Sequence, residues 1–434
     1  MTGSPLVLDR AELHGSLQDP VLGSVTFLNE IMARYPEAIS FAPGAPNLGY
    51  LDELDVSRQV DRFLTHLRQD RGLDEQQARR QLYEYGPSRG LINHLVAEFL
   101  RTDLRITVPE SAVVITVGAQ EAMLLVLRAL CRPGRDVLGV VDPSFVGVIG
   151  AARLLDVDLV PVEEDGDSLD FARLAQACRA ARAQGRRLRA LYVAPDHANP
   201  TGTVLGPTAR QQLLELAEQE DFLLIEDTAY HFTAEPGVEL PSLKALDRNT
   251  RVIQLGTFAK ICLPGARVGY VVADQPVHGA DGRPRRLADE LAELKTMVTV
   301  NTSPISQAVV GGMLLEHGGS LTALGRPKAE LYRHNLALLL KALDQHLGPD
   351  LPPGLHWNRP TGGFFVRLTL PVLADAALLE ISASRYGVLW TPMAQFHVGG
   401  GGTHQLRLSC SYLDSKQIEL GAARLAAFLR DLAL

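Results

Sequence analysis

Between residues 113 and 272, short β-branched apolar runs alternate with stretches whose apolar residues recur at helical spacing. This alternation constrains the fold more than any other feature of the chain. The runs are Val113–Val117, Asp136–Val141, Leu159–Val162, Leu188–Ala194, Phe222–Glu226, Val252–Gly256 and Val268–Val272, with helical patterns at 121–130, 146–155, 170–184 and 207–220. Strand, helix and strand in succession make a crossover unit, and repeated units predict a mostly parallel sheet covered by helices on both faces. The expected fold class is therefore α/β: a three-layer αβα large domain plus a small α+β domain. Three parts are expected: an N-terminal segment 1–64 contributing to the small domain and the site entrance, the large domain 65–300, and the small C-terminal domain 301–434. Residues 1–60 read as irregular with short helices, and 56–82 reads as helical. Beyond 300, helices at 303–316 and 325–346 lead to strands at 355–358, 363–369, 388–391 and 405–411 and a last helix at 415–432.

Composition narrows the function classes. With 434 residues, the chain has ample material for a buried core. Lys and Arg total 42 against 50 Asp and Glu, a net charge of −8, which offers no field for nucleic acid or anionic lipid. Cys131, Cys178, Cys262 and Cys410 lie far apart with no CxxC pair, so neither a metal site nor a disulfide framework is expected. Asp9, Arg10 and Glu12 interrupt the first residues, so no signal peptide is expected, and no apolar run reaches the ~18 residues of a membrane span. A cytoplasmic protein with reduced thiols follows.

Open α/β sheets bind ligands at the carboxyl ends of their strands, so residues just after predicted strands carry the information. Gly118-Ala119-Gln120 lies between a strand and a helix, where free amides make an anion site. Asn199-Pro200-Thr201-Gly202 follows another strand, and Asn199 can donate to a ligand oxygen. Asp227 ends an apolar strand with Tyr230 three residues on, and a carboxylate there calls for a cationic partner. Thr257-Phe258-Ala259-Lys260 ends a further strand. A partly buried lysine is a nucleophile for carbonyls, and Thr257 and Arg267 can reach a phosphate. Arg407, within Gln405–Ser409, invites a carboxylate. Read singly, each set is also compatible with a turn, a helix cap or a solvated charge.

Together the five sets supply what pyridoxal phosphate needs to act as an electron sink. In their order and spacing the chain resembles the fold type I pyridoxal-phosphate enzymes, and specifically the class I/II aminotransferases, over nearly its whole length. The resemblance implies that Lys260 forms a Schiff base with the cofactor and later moves the proton. It implies that Asp227 pairs with the ring nitrogen, that Asn199 and Tyr230 bond the phenolic oxygen, and that Ala119, Gln120, Thr257 and Arg267 hold the phosphate. Phe145 stands where relatives often carry a stacking tyrosine, so the stack is kept and the hydroxyl lost. Ala259 stands where some relatives have serine. Arg407 is implied to bind the substrate α-carboxylate, and Gly44 to lie in the segment that closes over the substrate. Tyr85 looks like the tyrosine that reaches the partner subunit's phosphate, which implies a homodimer.

The approach Asn29–Phe41, Val113–Leu125, Thr391-Pro392-Met393 and the run Gly399–Gly402 look like the hydroxyphenylglycine and dihydroxyphenylglycine aminotransferases of glycopeptide-type antibiotic biosynthesis. That likeness implies a ping-pong reaction converting aryl-glyoxylates to arylglycines, with small-molecule amino and keto acids as the only partners besides the second subunit. Two other readings stand beside it. One is a pyridoxal-phosphate oxidase, decarboxylating or cyclising enzyme on an amino acid. The other is an aminotransferase-like regulator, disfavoured because no helix-turn-helix fits in front of the large domain.

Overall fold

The computed structural model describes residues 6–279, 282–348 and 353–432. Eight strands form the large sheet: β1 (Val113–Thr116), β2 (Asp136–Asp142), β3 (Asp158–Asp165), β4 (Ser168–Leu169), β5 (Arg187–Val193), β6 (Leu223–Asp227), β7 (Val252–Thr257) and β8 (Gly269–Val272). Their order is β1-β8-β7-β6-β5-β2-β3-β4. The central pairs are parallel, as the alternating pattern requires. β8 runs against both its neighbours, and the two-residue β4 against β3.

Because side chains alternate along a strand, each run feeds two cores. Val114, Leu138, Val140, Tyr192, Ile225 and Ile253 face the helices Gly118–Leu130, Val146–Leu154 and Leu287–Val298. On the other face, Val113, Ile115, Tyr270 and Val272 pack with the helices Val56–Gln69, Asn93–Asp103 and Pro304–Glu316. Val137, Leu191 and Leu224 pack with Phe171–Ala183 and Pro207–Gln219.

A second sheet of four strands is antiparallel: β9 (His356–Trp357), β10 (Phe365–Thr369), β11 (Thr391–Pro392) and β12 (Gln405–Ser409), in the order β9-β10-β12-β11. Its core joins both ends of the chain. Ile31, Ile39 and Phe41 pack with residues of the long helix Leu321–Leu347 and the last helix Ser415–Asp431. The short strand Ile39–Ser40 pairs in parallel with Val388–Leu389. Among the described residues no helix is long and apolar enough to cross a membrane.

The structure differs from the sequence reading in three places. Residues 20–34 form a full helix rather than short pieces, because Asp19 caps it by accepting from the Val21 amide and Pro20 opens it. The 56–82 stretch is two helices. Gly72 takes a left-handed φ of +71°, and Asp74 starts Glu75–Tyr83 with a reciprocal cap to Gln77. Helix Pro304–Glu316, expected in the small domain, packs on the large sheet's core instead.

That helix meets Val56–Gln69 closely. A Cβ on Gly312 would stand 2.0 Å from the Gln59 carbonyl oxygen, and Gln59 is itself held by Glu316. Gly312→Ala is therefore expected to destabilise the protein by about 1–3 kcal/mol or more, despite the better helix propensity of alanine. Urea unfolding checks this, with a lowered midpoint as the expected outcome.

Candidate active site

The carboxyl ends of β5, β6 and β7 open into one cavity of about 430 Å³. Ala119, Gln120, Phe145, Asn199, Asp227, Tyr230, Thr257, Lys260, Arg267, Arg407 and Gly44 all line it. These residues span more than 350 positions in sequence, and the crossover topology is what gathers them.

One end of the cavity is built for an anion. Helix Gly118–Leu130 begins there, and no side chain caps its first amides. Instead Glu121 reaches back, accepting from the Val117 amide at 2.6 Å and from the buried Lys295 ammonium at 2.6 Å. Gly118 has a φ of +70°, and a Cβ on it would lie 2.7 Å from the Arg267 guanidinium. Glycine thus satisfies the backbone and lets Arg267 close over the helix start. Arg267 has no carboxylate partner among the described residues; its side chain donates to the Pro264 carbonyl at 3.5 Å. The Thr257 hydroxyl accepts from the Ala259 amide at 3.2 Å, which leaves its proton available.

Lys260 follows β7, and its ammonium donates to the Gly44 carbonyl at 2.5 Å. Burial lowers its pKa to about 8, with the Arg407 and Arg267 charges adding to the shift and Asp227 opposing it. Asp227 ends β6, buried among Tyr192, Ala229 and Lys260. Burial raises its pKa, and hydrogen bonds from the Tyr192 hydroxyl at 2.6 Å and the Ala229 amide at 3.0 Å resist that rise. Burial also pushes the Tyr230 hydroxyl up, so it stays a neutral donor.

Arg407 lies on β12, 5% exposed, with the Phe365 ring 4.4 Å and the Phe396 ring 4.9 Å from its guanidinium carbon. It donates to the Asn199 side-chain oxygen at 2.6 Å, the Ala42 carbonyl at 2.8 Å and Thr391 at 3.3 Å. Its partners among the described residues are all neutral, its Nε has none, and burial lowers its pKa to about 10. A buried guanidinium held by neutral groups on aromatic rings is poised to take a carboxylate.

Gly44 enters the site twice: through the carbonyl that accepts from Lys260, and because a Cβ there would meet Phe365 at 2.8 Å. Tyr85 alone of the expected residues lies away from the cavity, 88% exposed to solvent in the single chain. The sequence reading missed Tyr192, Phe365, Phe396 and Thr391. Tyr192 was legible as a polar tip near the carboxyl end of an otherwise apolar strand. Phe365 and Thr391 lie on the small sheet and Phe396 in the turn Ala394–Phe396 between two of its strands, and their approach depends on packing that no local pattern encodes. Leu28, Asn29 and Met32 of helix Pro20–Arg34, in the segment expected at the site entrance, form a wall of the cavity.

A fold type I architecture with a half-buried lysine, a buried carboxylate and an anion cradle at the strand ends defines a pyridoxal-phosphate enzyme. The family model for class I and II aminotransferases matches residues 54–425, and the chain belongs to that family. It is 46% identical over 422 residues to the (S)-3,5-dihydroxyphenylglycine transaminase of Amycolatopsis orientalis, covering 97% of this chain and 94% of that one. Among solved structures, the multiple substrate aminotransferase from Thermococcus profundus superposes with a TM-score of 0.81 at 26% identity, covering 97% and 98% of the two chains. The α-aminoadipate aminotransferase LysN of Thermus thermophilus, in complex with N-(5'-phosphopyridoxyl)-L-leucine, matches at a TM-score of 0.76 and 28% identity over 95% and 97%. The protein is thus a pyridoxal-phosphate-dependent aminotransferase, acting on amino acids and α-keto acids. Its residues fit the cofactor: an uncapped helix start and an unpaired guanidinium suit the phosphate, and a buried carboxylate suits a ring nitrogen.

The lysine has a measurable cost. A folded-state pKa of about 8 against 10.5 for an ordinary lysine means that the unfolded chain binds the extra proton between those values. Below pH 8 the apoprotein therefore loses up to about 3 kcal/mol, less whatever the solvent in the cavity and the Gly44 hydrogen bond return. Lys260→Met is expected to raise the melting temperature of the apoprotein at pH 7. The gain should fade as pH rises from 8 to 10.5, and thermal melts across that range check both sign and window.

Proposed function

We propose that this chain transaminates aryl-glyoxylates to arylglycines of the 4-hydroxyphenylglycine or 3,5-dihydroxyphenylglycine type for nonribosomal peptide antibiotic biosynthesis, with a second amino acid as donor. The 46% identity to a dihydroxyphenylglycine transaminase over nearly both full lengths supports the substrate class. The observation that carries the mechanism is the lowered Lys260 amine in one cavity with the buried Asp227 and Arg407.

When bound, pyridoxal phosphate supplies an electrophilic carbonyl and a conjugated ring that takes up the electron pair released at the substrate Cα. The remaining work falls to the chain. The Ala119 and Gln120 amides, Thr257 and Arg267 bind the phosphate at the helix start. Phe145 covers one ring face, and Asn199 and Tyr230 orient the phenolic oxygen. Asp227 holds the proton on the ring nitrogen. Lys260 would hold the cofactor's carbonyl carbon, and its amine, once displaced by the substrate amine, would be the base that moves the Cα proton. In the protein alone, burial already lowers the Lys260 pKa to about 8, which favours a neutral amine. Arg407 grips the substrate carboxylate through its planar fork, and the Gly44 segment covers the result.

We also take the enzyme to be a homodimer in which Tyr85 completes the partner's phosphate site. Tyr83, Tyr85, Met297, Val298 and Ile305 are exposed apolar side chains, and Gly86 and Asn301 lie close together, which supports one shared interface. The four buried, unpaired thiols are compatible with a cytoplasmic setting.

Lys260→Ala should lower turnover by about 100-fold or more while the apoprotein stays folded. A panel of aryl-glyoxylates and aliphatic α-keto acids, run against the enzyme loaded with pyridoxamine phosphate, should show the aryl acids reacting with the higher kcat/KM. Equal or better reaction of the aliphatic acids overturns the substrate class. Tyr85→Phe should weaken cofactor retention in the dimer by about threefold or more, the loss of one hydrogen bond, measured by equilibrium dialysis.

A further inference from the structure

We infer that Tyr192 is a positioning residue for the cofactor's ring nitrogen, acting through Asp227: it fixes that carboxylate as an oriented anion. The inference rests on the assignment of Asp227 to the ring nitrogen. Sheet geometry brings the pair together. Tyr192 on β5 pairs with Ile225 on β6, and Asp227 follows two residues later on the same face. A tyrosine is long enough to cross that diagonal, and its hydroxyl donates to Asp227 Oδ2 at 2.6 Å.

The consequence follows from counting donors. The Ala229 amide occupies Oδ1 at 3.0 Å and the Tyr192 hydroxyl occupies Oδ2. Each oxygen therefore accepts from a fixed group, which pins the carboxylate plane and favours the charged form. The titratable groups around Asp227 are Tyr192, Lys260, Tyr230 and Tyr270, from β5, the segment after β7, the turn after β6, and β8. Burial keeps all three tyrosines neutral, and of them only Tyr192 hydrogen-bonds the carboxylate. Asp227 itself is 7% exposed and Tyr192 2%, so water is a poor substitute for a lost donor. With the hydroxyl removed, burial would act on a carboxylate holding one fixed hydrogen bond. A proton on Asp227 would then compete with the proton it must hold on the ring.

The test uses Tyr192→Phe, which removes the hydroxyl and little else. Pyridoxal phosphate should bind the apoenzyme about 10- to 100-fold more weakly, the loss expected for a hydrogen bond to a charged group. With ¹⁵N-labelled cofactor, the ring-nitrogen resonance should move from the protonated toward the neutral position. In an Asp227→Asn background the same substitution should change affinity by no more than about twofold, since the carboxylate charge that the hydroxyl stabilises is gone. If Tyr192→Phe does not fold, Tyr192→Gln, which keeps a donor, is compared with Tyr192→Met, and the glutamine variant must bind more tightly. Unchanged affinity and resonance in Tyr192→Phe, with Asp227→Asn strongly weakened, overturns the inference alone. Unchanged affinity and resonance in Asp227→Asn overturns the assignment on which it rests.

Discussion

An ammonium, a carboxylate and a buried guanidinium group share one cavity with the solvent-exposed Arg267, and the surrounding structure serves to hold the first three there unneutralised. Left to themselves they would pair or turn toward water. The fold prevents both by engaging each with neutral partners. The Gly44 carbonyl takes Lys260, the Tyr192 hydroxyl and Ala229 amide take Asp227, and Asn199 with the Ala42 carbonyl takes Arg407. Elsewhere around the large sheet both treatments occur: Lys295 is matched directly with Glu121 and Arg210 with Asp196, whereas buried Glu226 and Lys328 are held by neutral groups.

Much of this was legible in the chain. The parallel sheet followed from apolar runs spaced by helices, because burial on both faces requires continuous hydrophobic strands. The cofactor residues were legible because the carboxyl ends of such strands are where ligands must bind, and Lys260, Asp227 and Asn199 each stand a few residues past a run. Periodicity was silent where structure depends on a cap or on a distant surface. Asp19 and Pro20 turn residues 20–34 into a helix that its mixed composition did not announce. Gly311 and Gly312 let helix Pro304–Glu316 settle on the large sheet's helical layer, whereas its sequence position suggested the other sheet. Phe365 and Phe396 reach Arg407 only after the small sheet has folded.

The contribution of Glu121 was also invisible locally. It reads as an acidic residue in the first turn, favourable to the helix dipole. In the structure it is tied to Lys295 and Thr299 of another helix and to the Val117 amide of its own. The orientation of the anion cradle is therefore set by a buried ion pair made with residues some 175 positions away.

The seating of Arg407 has a wider consequence. Its aromatic rings, its backbone acceptor and its amide partner are all supplied by the chain itself, so one end of the reactant would meet a socket of fixed protein groups. Helix Pro20–Arg34, which brings Leu28, Asn29 and Met32 to the far side of the same cavity, lies outside the large sheet's layers. Changes to the side chains that this helix turns to the cavity would alter what it welcomes while leaving the large sheet untouched. The molecule thus joins a fixed grip to a replaceable mouthpiece, an arrangement in which a lineage can acquire new appetites one side chain at a time.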